Sequence, residues 1–381
     1  LLWRARSDNL TLSQQKVAIE RDRQVVALSI IWRPDMGRNL GASAPASSRA
    51  DAWTSDSIPD QSGRIVIVTG ANSGIGFVTA RELARRGAQV TLACRNRERG
   101  DAALQRLRDE VPDATVELRQ LDLGALASIS DFAQGWDRDR LDLLVNNAGV
   151  AMVPFARTVD GFESQFGINH LDTFALTCQL MPYLLAAPDP RVVTVSSEGQ
   201  RFARFDLRNL NAERNYRTAF AYVQSKRANL YFATELQRRA EAVGSKLRSM
   251  AVAPGLTRTN VLTGGANSDR GRTYLATIRA LQRLAFRPTP EGAKTSLFAA
   301  TVPDLPGGSY VVPDGFLQLR GEPTVYHRDR VSRDEASAGR LWILSENLTG
   351  IRFQFDFGGV HGGVPFTRPA VGNPANGAAD S

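Results

Sequence analysis

Cysteine is nearly absent. Among 381 residues only Cys94 and Cys178 occur, with no Cys-x-x-Cys pair, which excludes a disulfide framework and leads us to expect a reducing, cytoplasmic location. Histidine is as scarce: His170, His327 and His361 lie far apart without metal-ligand spacing, so no metal site is expected. Long apolar runs are missing. The stretch Val25 to Trp32 is interrupted by Ser29, flanked by Arg21, Arg23 and Arg33, and too short to span a bilayer. No small-x-small cleavage site follows it, as a secretory signal would require. A one-signed charge pattern is absent too. Against 47 basic residues stand 39 acidic ones, and no basic run carries interleaved aromatics, which argues against a nucleic-acid partner. Only four of the basic residues are lysines, a bias that reads as GC-rich coding of a bacterial kind and not as a site.

What is present is ordinary globular composition, 43% hydrophobic and 23% charged, with length enough for one large core. The chain begins with Leu and its first methionine is Met36, so residues 1–35 are expected to be an upstream extension with natural initiation at Met36. Residues 37–62 are rich in Gly, Ala, Ser, Pro and Asp and read as irregular; residues 352–381 read as a flexible tail. Between them, over 63–351, strand-like runs recur at Arg64–Val68, Gln89–Cys94, Thr115–Leu121, Leu141–Val145, Arg191–Val195, Lys246–Val252 and Ser309–Val312. Helical periodicity separates them, as over Ile75–Arg86 with Gly87 as its stop. This alternation predicts an α/β fold: a doubly wound, seven-stranded parallel sheet with helices on both faces.

The first strand runs into Thr69-Gly70-Ala71-Asn72-Ser73-Gly74-Ile75-Gly76 and then a helix. Glycines at this spacing permit a tight turn, close backbone approach and a bare helix N-terminus, the requirements of a pyrophosphate site. Gly70, Asn72, Ser73, Gly74, Ile75 and Gly76 are therefore candidate cofactor-binding residues. A carboxylate ending the second strand would accept a ribose 2′-hydroxyl; here Ala93-Cys94-Arg95-Asn96-Arg97 offers Arg95 instead, which predicts NADP(H) over NAD(H).

Tyr222 and Lys226 stand four residues apart, a spacing that puts phenol and ammonium on one helix face. With seven tyrosines and four lysines, a chance pair at this spacing is expected about 0.07 times.

Together with Asn146-Asn147-Ala148-Gly149 after the fourth strand, these motifs resemble the classical short-chain dehydrogenase/reductase family from about Gly63 to Ile351. Ala93–Arg97, Phe166–His170 and Tyr222–Asn229 look most like its retinol dehydrogenase branch and bacterial relatives. The resemblance implies that Ser197, and less so Ser196, bonds the substrate oxygen, and that Asn169 holds a proton-relay water near Lys226. It also implies that Asp122 contacts the adenine, and that Asn147, Ala148, Gly149, Pro254, Gly255 and Thr259 lie along the cofactor. Where the family commonly has His or Asn, this chain has Ala253.

The chemistry is consistent with those roles. Reducing a ketone builds negative charge on its oxygen, so a proton donor and a second hydrogen-bond donor are needed there; Tyr222 and Ser197 supply them. A fixed ammonium at Lys226 is expected to lower the phenol's pKa and to hold the nicotinamide ribose. The expected partner is a small carbonyl compound or alcohol, lipophilic if the stripe Tyr274, Leu275, Ile278, Leu281 and Leu284 behind the loop Asn260–Asp269 forms an apolar lid. A catalytically silent NADP(H) sensor is the alternative, and retention of the four catalytic candidates weighs against it. The resemblance further implies a homodimer or homotetramer paired through the helices after the fourth and fifth strands.

Overall fold

The computed structural model describes residues 53–257, 286–326, 334–353 and 355. The expected loop and apolar stripe after Thr259 lie outside the described residues, as do positions 1–52 and 356–381. The strands are β1 (Ile65–Thr69), β2 (Gln89–Cys94), β3 (Val116–Gln120), β4 (Leu143–Asn146), β5 (Arg191–Val195), β6 (Arg248–Val252), β7 (Tyr310–Pro313) and β8 (Pro323–Val325). They form one sheet in the order β3-β2-β1-β4-β5-β6-β7-β8. The long helices are α1 (Gly74–Arg85), α2 (Arg97–Glu110), α3 (Leu126–Gln134), α4 (Asp172–Gln179), α5 (Thr218–Ala242), α6 (Thr289–Thr301) and α7 (Glu335–Thr349).

The central strands are apolar on both faces because helices cover both. Along β1, Val66 and Val68 join a core with Phe77 and Leu83 of α1, Leu107 of α2 and Leu297 of α6. Ile67 points the opposite way, into a core with Ile129 of α3, Phe174 of α4, Phe232 of α5 and Trp342 of α7. The strand order reverses between β1 and β4, the switch point where ligands of open parallel sheets sit at the strands' carboxyl ends. Packing reaches outside 63–351 as well: Ile58 is buried, Trp53 meets Phe298 edge-on, and Phe353 meets Trp342.

The sheet has eight strands where seven were expected. The seven expected strands pair in parallel, and β8 adds antiparallel to β7 with Val311 opposite Val325. Three residues opening with proline carry no readable period, and a proline at the start of an edge strand removes no ladder bond the sheet needs. α7 packs along α5 and touches α4.

One residue of α4 works against stability. Asp172 is fully buried and neither carboxylate oxygen has a hydrogen-bond partner among the described residues. Burial, with Asp160 and Asp122 nearby, pushes its carboxyl up to about 9. The folded chain therefore holds this proton through neutral pH while the unfolded chain releases it near 4, so this residue lowers stability progressively as pH rises from about 4 to about 9. Asp172→Asn should flatten that dependence and raise the melting temperature at about pH 8 more than at about pH 5. Equal shifts at both pH values in thermal denaturation would contradict the account.

Candidate active site

The turn between β1 and α1 is shaped by contacts that leave no room for side chains. Gly70 and Gly74 have positive φ (66° and 62°), and a Cβ on Gly70 would lie 2.9 Å from the Ala148 Cα. A Cβ on Gly76 would meet Asn147 Nδ2 at 2.4 Å. Asn147 is fixed there because its Nδ2 donates to the Thr69 carbonyl at 2.8 Å, while its N–H and that of Ala148 donate to Thr69 Oγ1 at 3.0 and 2.9 Å. Asn147 and Ala148 thus stand beside the turn, with the asparagine amide holding β4's end against β1's. Ser73 precedes α1 without capping it by a side-chain hydrogen bond, and the helix has no acidic residue in its first turn. Its first backbone N–H groups remain a fit for a phosphate.

Arg95 and Asp122 follow the ends of β2 and β3. Arg95 is exposed and forms no salt bridge among the described residues, whereas Arg97 is paired with Asp101 at 3.0 Å. Asp122 accepts from Gly124 N–H at 2.9 Å, and its own N–H donates to Ser128 Oγ at 3.0 Å.

The four catalytic candidates come from three elements. Asn169 lies in a π-helical turn, Gly167–Leu171, that leads into α4; such turns recur at functional sites. Its amide is fully engaged in bonding: Nδ2 donates to the Val150 carbonyl and to Ser225 Oγ, both at 2.9 Å, and Oδ1 accepts from Val150 N–H at 2.8 Å. Asn169 therefore locks the segment after Gly149 to α5. A Cβ on Gly149 would lie 2.8 Å from Asn169 Oδ1 and 3.3 Å from Lys226 Nζ, so the glycine keeps this cradle open.

Ser197 follows β5 and accepts from Gly199 N–H at 3.2 Å, capping the 3-10 turn Glu198–Phe202. Its hydroxyl also acts on the Tyr222 phenol, favouring the ionised form. Ser196, by contrast, is buried with its Oγ donating to the Lys226 carbonyl at 2.6 Å, a structural tie between β5 and α5. Lys226 is buried, and its Nζ donates to the Val195 carbonyl at 3.0 Å. Burial pushes the ammonium down to about 8, which leaves it charged at neutral pH.

The phenol departs from expectation. Burial pushes Tyr222 up to about 12, the Ser197 hydrogen bond opposes this, and the Glu198 charge adds to it. Removal from water is the largest of these effects, so Tyr222 is a phenol and not a phenolate at neutral pH.

Pro254 and Gly255 follow β6. The Pro254 carbonyl accepts from Thr257 Oγ1 at 2.9 Å, and Gly255, at φ 72°, packs under the Leu319 carbonyl. Thr259 lies outside the described residues. Residues the sequence reading missed are Thr69, which joins the two glycine turns, and Glu198, which accepts from Gly255 N–H. Glu198 was in view as the neighbour of Ser197, but only the fold brings it to the β6 turn.

Fold and site together define an NAD(P)-binding α/β protein with a serine, a tyrosine and a lysine gathered at the carboxyl ends of its central strands. The short chain dehydrogenase family model matches residues 64–269. Retinol dehydrogenase 14 of Mus musculus is 38% identical over 309 residues, covering 76% of this chain and 86% of the relative. Retinol dehydrogenase 13 of Homo sapiens is 39% identical over 293 residues, with 76% and 85% covered. The crystal structure of an uncharacterized protein from Mycobacterium paratuberculosis is 43% identical, superposes with a TM-score of 0.66 and covers 80% of this chain and 100% of that one. The chain belongs to the classical short-chain dehydrogenase/reductase family and is an oxidoreductase acting on CH–OH groups. Among the described residues no helix is long and apolar enough to cross a membrane.

Proposed function

We propose that this protein interconverts a lipophilic carbonyl compound and its alcohol with NADP(H), Tyr222 acting as the acid/base. The observation that carries this reading is the placing of Lys226 Nζ, buried on the Val195 carbonyl and beside the Gly149 cradle, one turn of α5 after Tyr222, with the Ser197–Gly199 turn packed on the same helix at Val223. When bound, NADP(H) supplies the hydride. The residues that would hold it are the turn from Gly70 to Gly76, Arg95, Asp122, the segment Asn147–Gly149, Lys226 and the Pro254–Gly255 turn, with Thr259 beyond the described residues. The uncapped start of α1 and the cradle at Gly149 support the fit.

Each side chain has a distinct task. Tyr222 holds a proton at its Oη for the substrate oxygen, and Ser197 offers that oxygen a second hydrogen bond. Lys226, charged at neutral pH, would turn from the Val195 carbonyl towards a ribose hydroxyl. Asn169 shapes the site through its amide bonds to Val150 and Ser225, and it would hold the proton-relay water near Lys226.

Preference for the 2′-phosphate rests on Arg95, an exposed guanidinium with no salt-bridge partner among the described residues. Arg95→Ala should weaken NADPH binding by roughly 10- to 100-fold, the worth of hydrogen bonds to a charged group, and leave NADH binding nearly unchanged. Fluorescence titration with both cofactors checks this, and equal losses for the two would remove Arg95 from the 2′-phosphate. The reaction itself is tested by NADPH consumption over a panel of retinal, aliphatic aldehydes, aromatic ketones and steroid ketones, with retinal tried first because the relatives are named retinol dehydrogenases. Cofactor binding with no turnover of any member would turn the reading towards a silent sensor. Two buried free cysteines support a reducing compartment, and we place the protein in the cytoplasm.

A further inference from the structure

Large apolar side chains at the surface gather at one end of the molecule. Among the described residues the exposed phenylalanines are Phe155, Phe202 and Phe316, at 46%, 49% and 84% exposure, and Val159 stands out at 83%. Phe155 and Val159 follow β4, Phe202 follows β5 and Phe316 follows β7, so all four lie at the carboxyl ends of parallel strands, the end that carries Ser197 and Gly149. Contacts tie the three loops into one surface. Phe155 meets Tyr216 edge-on with ring centroids 5.2 Å apart, and Tyr216 Oη donates to the Val153 carbonyl at 2.8 Å, which joins the loops after β4 and β5. Arg201, beside Phe202, donates to Gln318, two residues after Phe316, and so joins the loops after β5 and β7.

The same loops hold the non-glycine residues of positive φ: Met152 (56°), Ala212 (51°), Asn215 (52°), Leu317 (52°) and Gln318 (59°). Such conformations cost free energy and persist where the surroundings fix them. The Met152 N–H, for one, donates to Gln165 Oε1 at 2.8 Å. The phenylalanines are therefore presented on loops of fixed shape. Positive charge is in excess beside them. Between Ala203 and Arg217 stand Arg204, Arg208, Arg214 and Arg217, all exposed and without a salt bridge among the described residues, against the exposed acids Asp206 and Glu213. Arg157 adds a further cation, with its guanidinium 5.5 Å from the Phe155 ring centre. Of the other acids on these loops, Asp160 accepts from Leu126 N–H at 2.8 Å and Asp314 from Glu322 N–H at 2.9 Å.

We propose that this face docks on an anionic lipid surface: Phe155, Phe202 and Phe316 enter the apolar layer, the arginines meet the headgroup phosphates, and a lipophilic carbonyl compound reaches the site from the lipid. Phenylalanines on three separate loops can each enter a fluid layer alone, whereas a protein partner requires one continuous packed core. A second copy paired face to face here would set arginines against arginines. Anionic lipid supplies the opposite charge, and each arginine near such a surface strengthens attachment roughly fivefold. The guanidinium also matches phosphate, which it can bond bidentately. The route of the substrate rests on the reading of the site as one for lipophilic carbonyl compounds; attachment to lipid does not.

The test is sedimentation of the full chain with phosphatidylglycerol vesicles and with phosphatidylcholine vesicles. Wild type should bind the first about 100-fold more tightly than the second, and about 0.5 M salt should release it, because exposed charges are then screened. Replacing Arg204, Arg208, Arg214 and Arg217 together by Gln should weaken binding to phosphatidylglycerol by about 100-fold or more. Replacing Phe155, Phe202 and Phe316 together by Ser should weaken it by about 10-fold or more. Phe316→Ser alone, at the most exposed of the three, disturbs the fold least and should still lose a few-fold. Both combined variants should keep wild-type NADPH affinity and turnover of a short aliphatic aldehyde, while the KM for the fastest lipophilic carbonyl, presented in vesicles, rises about tenfold with kcat unchanged. Equal binding to both kinds of vesicle, or unchanged binding in either combined variant, would overturn the proposal. The two readings fail separately. Vesicle binding that depends on these side chains, with no carbonyl turned over, removes the reading of the site alone, whereas turnover without vesicle binding refutes the docking face alone.

Discussion

Tyr222→Phe is expected to lower carbonyl reduction by about 10²- to 10⁴-fold, the range that one positioned proton donor contributes. The substitution removes one oxygen from α5 and leaves the ring to pack. Ser196, Ser225 and Asn229 still fasten that helix to β5, to Asn169 and to the Val195 carbonyl. Cofactor binding should therefore persist, since the glycine turn and Arg95 lie away from the phenol at the ends of β1 and β2. Ser197 would retain its cap on Gly199 N–H. Steady-state NADPH consumption with a parallel binding titration distinguishes the outcomes. Turnover within a few-fold of wild type would dismiss Tyr222 as the donor, and loss of both turnover and binding would point to a disturbed helix.

Gly76→Ala is expected to have an effect of similar size on cofactor affinity, a loss of about 100-fold or more, with a stability cost of about 1–3 kcal/mol from overpacking. The added Cβ would stand 2.4 Å from Asn147 Nδ2 and 2.8 Å from the Gly70 carbonyl. Neither neighbour can yield alone. Asn147 is anchored to the Thr69 carbonyl, and Gly70 is pressed against Ala148 with its N–H donated to the Ala93 carbonyl at 2.8 Å. One methyl group therefore forces apart the turns after β1 and β4, where the phosphates and the nicotinamide half would meet the chain. NADPH titration and thermal denaturation measure the two effects; unchanged affinity would show that the turn does not bear on the cofactor.

Strand positions were legible because a doubly covered parallel strand must be apolar on both faces, and Ile65-Val66-Ile67-Val68 has no other economical reading. The glycine turn was legible because positive φ and close backbone approach restrict those positions to glycine. Tyr222 and Lys226 were legible through helical spacing, which is local. β8 was not, since three residues have no measurable period. Nor was the state of the phenol. Charge counting placed an ammonium nearby and predicted a lowered pKa, whereas burial, which depends on everything packed around α5, pushes it up.

The sequence by itself determined the alternation of strands and helices, the phosphate turn and the residue types of the site, because each depends on neighbours within a few positions. Only the tertiary structure decided which groups share a space. It put Asn169 against Val150 and Ser225, buried Asp172 with no hydrogen-bond partner among the described residues, laid α7 over α5, and brought the Glu198 carboxyl from the end of β5 to the Gly255 N–H at the end of β6. Such contacts join residues tens of positions apart through the sheet order. Their energies depend on the dielectric that packing creates, which no local pattern records.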